Sequence, residues 1–124
     1  MTAQRTMARV THVFAGMPTA DLDVALAWYE RFLGRPPDRR PNDCEAVWQL
    51  ADSGLVYVVA DARRAGEALI TLIVDDLDAW LSQLAERGVE VGDVKTLPGI
   101  ARRVAITDPD RNTITIAQLM SLNA

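Results

Sequence analysis

The sequence is short of cysteine, histidine and aromatic side chains, and each shortage removes a class of chemistry. With Cys44 as the only cysteine there is no internal disulfide and no cysteine-based metal site. The only histidine, His12, cannot form a metal centre unless carboxylates converge on it. No apolar run approaches the roughly 20 residues of a membrane span. The N-terminal MTAQRTMARV is not followed by the apolar stretch of a secretory signal, so the expectation is a cytoplasmic protein with no membrane partner. There is no glycine-rich phosphate loop, no Ser-His-Asp order and no zinc spacing. A net charge of −4 argues against a nucleic-acid partner, because neutralising phosphates takes a clustered basic face.

What is present is ordinary globular material. At 124 residues, 49% hydrophobic and 24% charged, the chain fits one domain, or one domain made of two small halves. Arg9 to Met17 is rich in β-branched and apolar residues and reads as a strand that Pro18 stops. Thr19-Ala20-Asp21 supplies a capping residue and early negative charge for a helix whose stripe is Leu22, Ala25, Leu26, Tyr29, Phe32 and Leu33, ended by Gly34 and Pro36-Pro37. Arg35 to Asp43 reads as a polar loop. Ala46–Leu50 and Leu55–Ala60 then form a hairpin around Ala51-Asp52-Ser53-Gly54. If those four residues are the loop, Leu50 pairs with Leu55 and Trp48 lies opposite Tyr57, both rings on one face.

After the polar stretch Asp61–Glu67 the order repeats. A strand over Leu69–Val74 precedes a helix over Asp76–Arg87, with the stripe Leu77, Trp80 or Leu81, and Leu84. Val89–Val94 reads as a short strand. The last hairpin, Ile100–Thr107 and Thr113–Leu119, turns at Asp108-Pro109-Asp110-Arg111-Asn112. Val104, Ile106, Ile114 and Ile116 make its apolar face, while Arg103, Ala105, Thr107, Thr113, Thr115 and Ala117 make the other. Aligning ADLDVAL (20–26) with DDLDAWL (75–81) sets Phe14 on Leu69. The class is therefore α+β, a strand, a helix and up to three strands, twice. Each half is too small to cover both faces of its own sheet, so a concave face stays open to a ligand or a second subunit.

The ADLDVALAWYERFLG block behind its strand, the DPDRNTITI turn sequence and the tandem repeat together resemble the vicinal oxygen chelate superfamily. That superfamily includes glyoxalase I, bleomycin resistance proteins and extradiol dioxygenases, and the resemblance runs from about Arg9 to Leu119. It implies a single domain, 1–124, of two βαβββ modules (about 9–61 and 67–119). Their curled antiparallel or mixed sheets would form a concave trough, completed in a homodimer. Metal-using members take a His or Gln from the first strand of each module and a Glu from the last. Carried over, those positions fall on Phe14, Leu69 and Thr115, with Tyr57 fitting the fourth best.

Phenylalanine and leucine have no lone pair to donate, and neutral hydroxyls are poor ligands for a divalent ion. The expectation is thus a small-molecule binding protein without metal or cofactor. Its aromatic or amphipathic ligand would sit in a trough lined by Phe14, Trp48, Tyr57, Leu69, Arg103 and Thr115. The alternative is a lyase, isomerase or dioxygenase of the same superfamily with a divergent or absent metal site and His12 as general base.

Each candidate also has a plain structural reading. His12 alternates onto the face of Phe14, or is a strand-end histidine at the surface. Arg103 is a fork for a carboxylate or phosphate, or is paired with a nearby acid, or gives way to Arg102 as the inward residue. Asp21, Asp23, Asp75, Asp76 and Asp78 sit at helix starts, where capping and the helix dipole account for them.

Overall fold

A computed structural model describes residues 8–120. The first module runs β1 (Val13–Thr19), α1 (Leu22–Leu33), β2 (Arg39–Asn42), β3 (Glu45–Ala51) and β4 (Gly54–Ala60). The second runs β5 (Leu69–Ile73), α2 (Leu77–Glu86), β6 (Lys95–Leu97), β7 (Ala101–Thr107) and β8 (Thr113–Leu119). Each module is a four-stranded mixed sheet, in the orders β1-β4-β3-β2 and β5-β8-β7-β6. In each, the first strand runs parallel to the last and lies at an edge. The duplication extends to the register. Phe14 and Gly16 face Leu55 and Tyr57 in one sheet, as Leu69 and Thr71 face Thr113 and Thr115 in the other.

The helices start and stop where capping chemistry dictates. The Asp21 carboxylate accepts from the Val24 N–H at 3.2 Å, and Gly34, at φ 79°, lets its own N–H reach the Glu30 carbonyl. Asp76 caps α2 in the same way through the Ala79 N–H. The apolar stripes of both helices and one face of each sheet share a single core. Met17, Trp48, Val56 and Val58 come from the first sheet and Val104, Ile106, Ile114 and Ile116 from the second. Ala25, Tyr29 and Phe32 of α1 and Leu77 and Leu84 of α2 fill the space between. Phe32 meets Trp80 at 6.0 Å between ring centroids. The Arg87 guanidinium donates to the Arg31 and Phe32 carbonyls, satisfying orphan acceptors at the end of α1.

The turn between β7 and β8 bolts the modules together. Asn112, fully buried, donates from Nδ2 to the Pro18 carbonyl and to Asp108 Oδ2, both at 2.8 Å. Its Oδ1 accepts from the Gly66 and Ala68 N–H groups. The Asp108 carboxylate also accepts from the Tyr29 hydroxyl of α1 at 2.7 Å. Burial, then the charge of Asp108, pushes the Tyr29 phenol far above its ordinary pKa.

Four local expectations are corrected. Pro18 lies inside β1 rather than ending it. The Val13 N–H and Thr19 carbonyl point toward β4, so alternation aims the donor-less nitrogen of Pro18 at the free edge. The segment read as a polar loop contains β2, an outermost strand with Pro41 where the ladder is least demanding. Residues 89–94 form no strand, and β6 follows them at Lys95–Leu97. The hairpin of the first module closes on a two-residue turn, with Ala51 paired to Gly54 and an irregularity between Gln49 and Ala51. Trp48 therefore faces Val56, and Val47, not Trp48, faces Tyr57.

Candidate functional site

The faces turned away from the shared core carry most of the predicted site. On the first sheet these are Phe14, Gly16 and Pro18 of β1 with Tyr57 and Val59 of β4. On the second they are Leu69 and Thr71 of β5 with Arg103 and Ala105 of β7 and Thr115 of β8. Phe14 and Tyr57 stack obliquely at 6.2 Å. A methyl group on Gly16 would lie 2.7 Å from the Tyr57 ring, so this glycine is the floor on which the ring rests. Phe14 is 49% exposed and Leu69 75%, unusual for large apolar side chains on strands.

Trp48 does not belong to this wall. The one-residue register difference turns it to the opposite face, where it is 0% exposed, touches the Tyr29 ring and donates from Nε1 to the Arg35 carbonyl at 3.0 Å. His12 does not join either. It precedes β1, is exposed, and its ring nitrogen pairs with the hydroxyl of Thr11 at 3.1 Å. Arg103 stays on the outward face, and Arg102 turns the other way to pair with Asp78 of α2 at 3.0 Å. The five aspartates at the helix starts behave as caps or ion-pair partners where they bond at all.

Among the described residues of one chain, the two outward faces line separate hollows. Tyr57, Gly16, Pro18 and Val59 line a hollow of about 240 Å³ whose rim is Arg64 and Glu67. Arg103, Ala105 and Thr115 line another, of about 490 Å³, together with Lys95 and Asp93. A larger apolar cleft of about 580 Å³ opens between β1 and β5, walled by Val13, Ala15, Val56, Ile70, Leu72 and Trp80. The sequence reading missed Gly16, Lys95 and this cleft. Gly16 was legible by alternation from Phe14, but Lys95 was hidden by the strand expected at 89–94.

Duplicated βαβββ modules with outward faces of this kind have known counterparts. The model of the Glyoxalase/Bleomycin resistance protein/Dioxygenase superfamily matches residues 9–116. The chain belongs to that superfamily. A glyoxalase/bleomycin resistance protein from Catenulispora acidiphila is 44% identical, with 86% of this chain and 96% of that one covered and a TM-score of 0.82. The bleomycin resistance determinant encoded on transposon Tn5 is 20% identical over 89% of this chain and 98% of its own, with a TM-score of 0.74. TnmS3, an antibiotic binding protein from a Streptomyces species, is 25% identical over 94% and 99%, with a TM-score of 0.71. No curated protein sequence matches the chain.

Membership raises the question of a divalent ion, and the side chains at the four ligand positions do not fit one. The shared register makes Tyr57 the counterpart of Thr115, just as Phe14 is the counterpart of Leu69. Two of the four have no donor atom, and the Tyr57 ring is engaged with Phe14. No group of three or more His, Cys, Asp or Glu side chains converges among the described residues. What the faces offer is apolar and aromatic surface on the first module, and the exposed Leu69 side chain with a guanidinium, an ammonium and threonine hydroxyls on the second.

Proposed function

We propose that the protein binds an organic small molecule without a metal ion, in a trough made when the outward face of one module meets that of the other module in a second copy. Phe14, Tyr57 and Leu69 supply apolar contact, worth about 25 cal/mol per Å² buried, and Arg103 and Thr115 orient the ligand. The ligand is aromatic or amphipathic, matching one apolar wall and one wall that sets Leu69 beside polar groups. The observation that carries the reading is the replacement of both first-strand ligand positions by Phe14 and Leu69, exposed apolar side chains that recognise organic surface and coordinate nothing. Relatives named for bleomycin resistance and antibiotic binding support a binding role. The second copy is part of the proposal because β1 and β5 are both edge strands and carry exposed Val13, Phe14, Leu69 and Ile73.

The test is a thermal-shift screen of aromatic metabolites and divalent ions, with sedimentation of the same samples. Aromatic compounds should raise the melting temperature, with the shift reduced in Phe14→Ala and Tyr57→Ala, and the protein should sediment as a dimer at micromolar concentration. A stoichiometric divalent ion that raises the melting temperature, or a strictly monomeric protein, refutes the proposal.

A further inference from the structure

The geometry points to an anion subsite formed by Lys95 and Arg103, so that the ligand of the proposed trough carries a carboxylate or phosphate on its organic body; this rests on the trough reading above. Lys95 is the single lysine of an acidic chain, and it stands directly opposite Arg103 in the β6–β7 register. Like charges placed opposite one another on neighbouring strands repel, and the arrangement is relieved when an anion lies between them. Neither cation has a carboxylate within 4 Å among the described residues. Arg102, one residue away on the opposite face of β7, is paired with Asp78 and so is not available to this hollow.

Lys95 and Arg103 share their hollow with Ala105, Thr115, Gly92 and Asp93. Asp93 is the one acid on that wall, which leaves the two cations in excess there. Thr115 adds a neutral hydroxyl beside them, a donor that suits an oxyanion. A guanidinium presents paired N–H groups to a carboxylate or phosphate, and the ammonium adds a point charge.

The experiment titrates the full-length protein with 1-naphthoate, 1-naphthyl phosphate and the neutral 1-naphthamide, followed by calorimetry. In the unaltered protein at least one anionic probe should bind ten or more times as tightly as the amide. The arm that binds tighter distinguishes a carboxylate from a phosphate ligand. In Lys95→Ala/Arg103→Gln that preference should fall below twofold, the anions losing more affinity than the amide. Both residues are exposed, so the melting temperature of the variant serves as the folding control. Equal binding of the anions and the amide overturns the subsite but leaves the trough standing, as does a preference that survives in the double variant. Failure of all three probes to bind overturns both.

Discussion

Replacing Asn112 by alanine tests whether the β7–β8 turn joins the modules or merely reverses the chain. The side chain makes four hydrogen bonds in a site closed to water, to the Pro18 carbonyl, Asp108 Oδ2 and the Gly66 and Ala68 N–H groups. Asp108 keeps the Tyr29 hydroxyl and backbone N–H donors, so its loss is small. The Pro18 carbonyl and the two N–H groups lose their partner, and a buried polar group left unsatisfied costs about 1–3 kcal/mol. Partial relaxation and water entry bring the expected total to about 3–5 kcal/mol, a large share of the roughly 5–15 kcal/mol that holds a domain together. Urea denaturation should show the midpoint falling with the slope unchanged, and the melting temperature should drop by about 10–15 °C. As a contrast, Arg111 in the same turn sits at φ 74°, so Arg111→Gly should be neutral or stabilising. A loss under about 1 kcal/mol for Asn112→Ala would refute the view that this side chain joins the modules.

Tyr29 gives a pH test. Its folded pKa is raised, so the protonated phenol stabilises the fold fully below about pH 10, where an unfolded tyrosine titrates, and that stability is lost as pH climbs from there toward the folded value. Stability should fall by about 1.4 kcal/mol per pH unit in this window, and the part due to Tyr29 should vanish in Tyr29→Phe; identical alkaline profiles for both proteins refute it. Trp48→Ala should cost about 3–5 kcal/mol in denaturation, whereas Tyr57→Ala should cost under about 1 kcal/mol and act on ligand affinity, reversing the roles an unshifted register would assign. Gly16→Ala should displace the Tyr57 ring, seen as altered ring resonances by NMR, with little change in melting temperature because a flexible side chain yields first.

The duplicated plan was legible because it is written in periodic patterns. The α1 stripe, the Asp21 and Asp76 caps, Gly34 and the alternating last hairpin each state their local structure, and each is found. What escaped depends on pairing between distant segments. Arg39–Asn42 has no β-branched or aromatic residue and carries a proline, and it is a strand because β3 offers it hydrogen bonds. The position of Trp48 turned on whether four or two residues made a turn, and a β-irregularity leaves no composition signal. The turn residues Asp108 and Asn112 announced a reversal of the chain, but that they also bridge to α1 and β1 depended on which module would dock beside them.

The proline within β1 shapes how this molecule can meet another. Of the backbone positions that alternate toward the open side, Pro18 has nothing to donate, and its carbonyl is already taken by Asn112. Among the described residues, only Phe14 and Gly16 keep both groups free there. An incoming strand can therefore zip along the first half of this border and must stop, which favours a short, register-limited handshake and discourages the indefinite stacking that a full-length bare margin would invite.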